Sequence, residues 1–325
     1  MPTHTILLSA PYMMPYMDRF TPVYSHYNCE LLVAEVHERL SQHEILQYAG
    51  KFDGAVCGDD RFDSEVLEKC SPRLRVISKW GTGIDSIDKV AAERLGIQVF
   101  RTPNAFTQPV ADSVMGYMLA FARQQPWLDQ EVKQGRWDKL SGKALAECAL
   151  GVIGVGDIGR AVLRRAKAFQ MTLYGNDIVQ IPESFIQEVG VKMVALGTLL
   201  QNCDFISVNC DLNPTSFHLI NSDTLRMMNP EAVIINTARG PIIDEKALVE
   251  ALANHQIAGA ALDVFEIEPL PEDSPLKTMS QVMLAPHNSN SSPAAREHVH
   301  WNTIKNLLVG LGIPHDDFES MKAIE

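Results

Sequence analysis

The stretch LGVIGVGDIG, residues 150–159, decides how the rest of the chain is read. Leu150-Gly151-Val152-Ile153 reads as a buried strand, and Gly154-Val155-Gly156-Asp157-Ile158-Gly159 as a tight turn. Residues 158–169 then carry Ala161, Val162, Ala166 and Phe169 on one helical stripe. A strand, a G-x-G-x-x-G turn and a helix in that order form the dinucleotide-binding fingerprint. Gly154 permits the turn, Gly156 lets a pyrophosphate reach the backbone, and Gly159 lets the helix lie close to the sheet. The helix start, at Asp157 and Ile158, presents N–H groups and a positive dipole end to phosphate. Spacing alone is weak, since glycine is common. The context strengthens it, because a second apolar segment, 171–174, leads into Gly175-Asn176-Asp177. That puts a carboxylate about 20 residues on, where a ribose-binding acid belongs.

Outward from this point, strand and helix patterns alternate. Strands are expected at 5–9, 29–35, 54–57, 75–79 and 98–100, and helices at 41–49, 64–70 and 87–95. Ser41-Gln42-His43-Glu44 is a capping box, and Gly96 a helix stop. This first unit lacks a glycine-rich turn after a strand, so the nucleotide belongs to the second. Thr102-Pro103-Asn104 breaks the pattern before an apolar helix at 110–123. Strands resume near Leu150, Thr172, Val191, Phe205, Val233, Ala260 and Val282, with helices at 198–202, 222–228 and 245–254. After a polar stretch at 288–293, residues 294–311 form one helix, too short to stand alone and expected to pack on the first unit. The expected fold is α/β: two Rossmann-like domains with doubly wound parallel sheets, one of them discontinuous. The boundaries are 1–103 with 290–325 for one domain and 104–289 for the other.

Bulk properties narrow the function. The 325 residues suffice for two domains, and 46% apolar with 21% charged residues is an ordinary globular balance. A formal charge of −12 argues against nucleic acid or an anionic membrane as partner. The six cysteines are scattered, with no C-x-x-C and no cluster at metal-ligand spacing, so no metal is expected and reduced thiols are. No basic leader precedes an apolar core, and no run approaches a membrane span. The expected location is the cytoplasm.

Ligands of a doubly wound sheet lie beyond the carboxyl ends of its strands. Consecutive strands run into Asn236-Thr237-Ala238-Arg239-Gly240, into Asp263-Val264-Phe265-Glu266-Ile267-Glu268-Pro269, and into Ala285-Pro286-His287. An Arg fork grips a carboxylate and polarises the neighbouring carbonyl. A His supplies a proton to an alkoxide, and a nearby carboxylate favours its charged form. Taken singly, each of these residues reads as a surface or capping group. Their joint placement after successive strands, downstream of the glycine turn, suits hydride transfer to a 2-keto acid.

With these segments in place, the chain resembles the D-isomer-specific 2-hydroxyacid dehydrogenases, which include phosphoglycerate, glycerate and D-lactate dehydrogenases. The resemblance rests on Lys79-Trp80-Gly81-Thr82-Gly83-Ile84-Asp85, Thr102-Pro103-Asn104, the glycine turn, Asn236 to Gly240, Leu262 to Pro269, and Pro286-His287. It implies that Arg239 binds the substrate carboxylate and carbonyl, that His287 is the acid/base and that Glu268 is its partner. It implies substrate contacts from Lys79, Trp80, Gly81, Thr82 and Gly83. For the cofactor it implies Gly154, Gly156, Asp157, Ile158, Gly159, Asp177, Cys210, Thr237, Ala238, Arg239, Asp263 and His287, with Asp263 meeting the nicotinamide amide. Asp177 favours NAD over NADP, because a carboxylate repels a 2′-phosphate and no Arg or Lys follows closely. A homodimer joined through 110–137 is also implied. A second reading is an NADH-sensing, corepressor-like binding protein on the same fold.

The chain departs from the family pattern in places. It carries extra residues between Lys143 and Leu150, which is expected to lengthen a loop. Asp211 stands where a proline is usual, Gln170 replaces a common glycine, and Asn288-Ser289-Asn290 is more polar than usual. The phosphate-binding Arg of phosphoglycerate dehydrogenases would sit close to Cys57, where Gly58-Asp59-Asp60 follows instead, although Arg61 and Lys79 remain within reach. Neither the Lys of phosphite dehydrogenases at Thr82 nor the Asn of formate dehydrogenases near Phe106 is present.

Overall fold

The computed structural model describes residues 4–322. Two compact units emerge, one formed by the chain up to Ala105 and from Ser292 onward, the other by Phe106–Ser291. In the first, strands β1 (His4–Leu8), β2 (Cys29–Val33), β3 (Gly54–Cys57), β4 (Val76–Lys79) and β5 (Gln98–Phe100) alternate with α1 (Met17–His26), α2 (Gln42–Leu46), α3 (Ser64–Cys70) and α4 (Lys89–Arg94). All pair in parallel, in the order β2-β1-β3-β4-β5. Ser41 caps α2 in a capping box with Glu44, and Gly96 follows α4 at φ 71°. The start signal and the stop signal are both local chemistry, and both are legible from the residues alone.

The second unit opens with α5 (Thr107–Ala122) and α6 (Gln125–Lys133). Then come β6 (Ala149–Ile153), α7 (Asp157–Ala168), β7 (Thr172–Asn176), α8 (Glu183–Val189), β8 (Lys192–Met193), α9 (Leu196–Asn202) and β9 (Phe205–Val208). The remainder is α10 (Ser222–Arg226), β10 (Val233–Asn236), α11 (Glu245–Ala253), β11 (Gly259–Leu262) and β12 (Val282–Leu284). Its seven strands are parallel in the order β12-β11-β10-β9-β6-β7-β8. The order reverses between β6 and β9, the topological switch point where such sheets bind ligands. Apolar side chains fill both faces, which is why β9, β10 and β11 are buried throughout and read as mostly apolar segments, broken only by Ser207 and Asn236. On one face Val114, Met118 and Val162 pack against Leu150 and Val152; on the other Leu199, Leu225 and Leu248 pack against Ile206 and Ile234.

The chain then returns to the first unit as α12 (Pro293–Leu311) and α13 (Phe318–Met321). Helix α12 lies against β4, where Ser78 Oγ donates to Thr303 O at 2.7 Å. Among the described residues no helix is long and apolar enough to cross a membrane.

Some elements were not anticipated. Helix α1 buries Phe20, Val23 and Tyr24 although Pro22 lies inside it. The proline removes a donor, and tertiary burial outweighs that loss. Helix α8 hides behind Pro182 at its start and is closed by Gly190 at φ 76°. The extra residues before β6 make no loose loop. Lys143 N donates to Ala122 O, Glu147 accepts from Ala144 N at 2.6 Å, and Leu145 is buried. Gln170, in place of a glycine, takes φ 60°.

Candidate active site

The glycine turn leaves β6 at the switch point. Gly154 has φ 87°, and a Cβ there would stand 2.5 Å from Cys210 N, so the position admits no side chain. A Cβ on Gly159 would fall 2.1 Å from Gly154 O, which fixes how closely α7 approaches the strand. Gly156 differs. Its φ is −79° and nothing lies within 4 Å of a Cβ, so neither backbone nor packing requires glycine there. Close approach of a ligand to the backbone does require it. Gly156 is also the N-cap of α7 and offers no side-chain cap, which leaves the first N–H groups of the helix for an anion.

Asp177, at the end of β7, turns back onto this turn: Oδ2 accepts from Val155 N at 2.6 Å and Oδ1 from Val179 N at 3.0 Å. Cys210 is half-buried against Gly154, and burial pushes its thiol up to about 11. Thr237 Oγ1 and Asn209 Oδ1 are buried and have no protein partner among the described residues. An open glycine, an uncapped helix start and orphaned polar atoms at the strand ends together fit a dinucleotide.

Next to it, β10 ends in a turn built by Asn236. Its Oδ1 accepts from Ala238 N at 3.0 Å and its Nδ2 donates to Arg239 O at 2.9 Å. This holds the half-buried Arg239, whose Nη1 donates to Ala238 O at 2.9 Å. Gly240 follows, and a Cβ on it would lie 1.9 Å from both the carbonyl carbon and oxygen of Phe265. The Arg239 turn therefore rests directly on the backbone after β11.

That segment delivers Glu268. Its Oε1 accepts from Phe265 N at 3.0 Å, and its Oε2 lies 3.1 Å from His287 Nδ1. An ionised carboxylate only accepts, so Nδ1 carries the hydrogen and Nε2 is left as the nitrogen that exchanges a proton. Both side chains are largely but not wholly buried, at 16% and 21% exposure, which strengthens the pair while leaving access. His287 sits at φ 49°, a left-handed conformation rare outside glycine. Asp263 holds it there. With 1% exposure, Asp263 accepts from Asn288 N at 2.8 Å and Ser289 N at 2.9 Å, and its carbonyl accepts from His287 N. Ser113 on α5 adds a donor to Ser289 O. Both carboxylate oxygens of Asp263 thus engage the His287 loop.

In the first unit, residues 79–83 leave β4. The side chains of Lys79 and Trp80 turn inward. Lys79 is 4% exposed, with Nζ 3.0 Å from Asp59 Oδ1 and donating to Trp80 O at 3.3 Å. Trp80 stacks on Tyr12 at 4.7 Å and donates from Nε1 to His300 Nδ1 at 3.0 Å. Burial lowers His300 to about 4, so it stays neutral. These residues brace the loop that carries Gly81, Thr82 and Gly83. Thr82 Oγ1 donates to Thr102 O, and Thr102 N to Gly81 O, both at 2.8 Å. Beside them Asp60 is fully buried, accepting from Ser9 Oγ and Leu40 N, and burial pushes it up to about 6. Asn236 and His300 were not singled out from sequence; Asn236 shapes the turn that directly follows it, and His300 acts through Trp80, 220 positions away.

Comparison with known proteins points to one family. Residues 115–289 match the family model described as D-isomer specific 2-hydroxyacid dehydrogenase, NAD binding domain. A glyoxylate reductase of Korarchaeum cryptofilum is 38% identical over 255 residues, 77% of this chain and 76% of its own. A D-3-phosphoglycerate dehydrogenase of Methanocaldococcus jannaschii is 40% identical over 267 residues, 81% of this chain and 50% of its own. Among solved structures, D-lactate dehydrogenase of Aquifex aeolicus, complexed with NAD and lactic acid, superposes with TM-score 0.82 at 25% identity over 98% of both chains.

Proposed function

The chain belongs to the D-isomer-specific 2-hydroxyacid dehydrogenases and is an NAD-dependent enzyme; on that premise we propose that it interconverts a small 2-keto acid and its D-2-hydroxy acid, with His287 as acid/base. Bound NADH supplies the hydride when the keto acid is reduced. Arg239 grips the carboxylate and polarises the carbonyl. His287 Nε2 gives the carbonyl oxygen its proton and takes it back in oxidation. Glu268 holds Nδ1–H and stabilises the imidazolium. The N–H groups at the start of α7 hold the pyrophosphate, and Thr237, Ala238 and Cys210 line the approach to it.

The observation that carries this reading is the 3.1 Å Glu268–His287 pair on a loop set by Asp263, in the same unit as the Arg239 turn and the glycine cradle. Asp177 at the glycine turn is assigned to the adenosine ribose and to the choice of NAD over NADP. The apolar Val132 and Trp137, 50% and 81% exposed, are groups that a homodimer through residues 110–137 would cover.

The test is NADH oxidation against a panel of 2-keto acids: glyoxylate, pyruvate, hydroxypyruvate, phosphohydroxypyruvate, and branched and aromatic analogues. Turnover of at least one is expected, and none at all would favour an NADH-sensing binding protein. His287→Ala should lose roughly a hundredfold or more in rate while binding NADH normally. A variant with normal rate removes His287 from its role.

A further inference from the structure

Three histidines of the second unit, His218, His255 and His287, hold a left-handed backbone, and two of them aim their rings at carboxylates of one short segment. His287, at φ 49°, meets Glu268; His218, at φ 47°, meets Glu266, with Nε2 2.6 Å from Oε1. A residue other than glycine keeps such a conformation only where its surroundings impose it, and such sites cluster at functional centres. His218 is imposed upon from both sides. Its N–H donates to Pro241 O at 2.9 Å, its carbonyl accepts from Asn221 Nδ2 at 3.0 Å, and Phe217 stacks on its ring at 4.0 Å.

Glu266 is tied a second time. Its N–H donates to Glu245 Oε2 at 3.2 Å, and its Oε1 accepts from Glu245 N at 3.4 Å, at the first residue of α11. Burial, then the neighbouring Glu266, raises the Glu245 carboxyl. The segment that carries Glu268 is thus held by Gly240 beneath it, α11 beside it and His218 above Glu266.

We propose that His218 is a positioning residue: by clamping Glu266 it sets where Glu268, two residues on, holds His287. The inference rests on the acid/base assignment of His287 given above. The charged groups around the clamp are Glu266 and Glu245, with Asp244 capping α11 and Arg239 on the turn after β10. Without the His218 donor, two carboxylates face each other and separate, and the segment moves with them. A displaced Glu268 stabilises the imidazolium less, so proton supply from His287 fails at lower pH.

The test compares wild type, His218→Ala and His218→Gln in the full chain, with kcat and KM for the preferred 2-keto acid measured across about pH 5 to 9 and NADH affinity measured by titration. In His218→Ala, kcat should fall roughly tenfold and the alkaline limb of the reduction profile should move down by about half a pH unit or more, with NADH affinity within about twofold. His218→Gln, which restores a donor, should recover most of kcat. An unchanged profile in His218→Ala, even with reduced thermal stability, overturns the proposal. Should that variant not fold, Glu266→Gln must show the same displaced limb, and a wild-type profile overturns the proposal there too. Normal turnover by His287→Ala would instead overturn the acid/base assignment itself.

Discussion

Replacing Gly240 with Ala should separate catalysis from cofactor binding. The added Cβ would stand 1.9 Å from Phe265 C and O and 2.5 Å from Glu266 N. Ordinary contacts lie near 3.5 Å, so one backbone must retreat from the other by about 1.5 Å. Both surfaces are backbone, and no side-chain rotation relieves the overlap. Overpacking of this kind costs about 1–3 kcal/mol, or a fall in Tm of roughly 3–10 °C for a unit of this size. The larger effect is on geometry, because Arg239 lies on one backbone and Glu268 on the other. A misplacement of about 1 Å in a catalytic constellation costs on the order of a hundredfold in rate. Steady-state NADH oxidation with the preferred keto acid should show that loss in kcat, while NADH affinity stays within about threefold. Gly156→Ala is the contrasting control. Its Cβ meets nothing within 4 Å and its φ of −79° suits any residue, so Tm should hold while NADH binding is lost. Wild-type kcat in Gly240→Ala would refute the claim that this contact sets the distance between Arg239 and Glu268.

Two further outcomes are expected. Asp177→Ala should raise the NADPH-to-NADH ratio of kcat/KM by at least about tenfold, as one repelling charge is removed; an unchanged ratio would detach Asp177 from cofactor choice. Asp60, pushed up to about 6 by burial, binds protons more tightly in the folded protein than in the unfolded chain. Its contribution to stability is therefore largest in acid and declines as pH rises from about 4 to 6, by at most about 3 kcal/mol. Urea unfolding of wild type and Asp60→Asn at about pH 4.5 and 7 should show the wild type losing ground at the higher pH. An equal difference at both would show that Asp60 does not titrate in this range.

Much of this protein was legible because it is encoded locally. A strand buried on both faces is an unbroken apolar run, a helix start needs Ser41 or Asp63 at its cap, and a phosphate turn needs glycine at set intervals. The strands of both sheets lie close to where periodicity put them, and Arg239, Glu268 and His287 were selected because parallel strands deliver their following residues to one edge. Helix α1 escaped because Pro22 outweighs its stripe in any local reading.

The residues themselves determined the α/β fold, the glycine cradle and the kinds of side chain at the strand ends. Only the tertiary structure decided what each side chain does there. Lys79 turned inward to Asp59, Asp263 went to the backbone after His287, and His218 met Glu266 across 48 positions of chain. The reason is that local pattern records which face of an element is buried. The direction of a side chain beyond a strand end depends on left-handed residues such as His218 and His287, and on backbones from distant crossovers meeting as closely as Gly240 and Phe265.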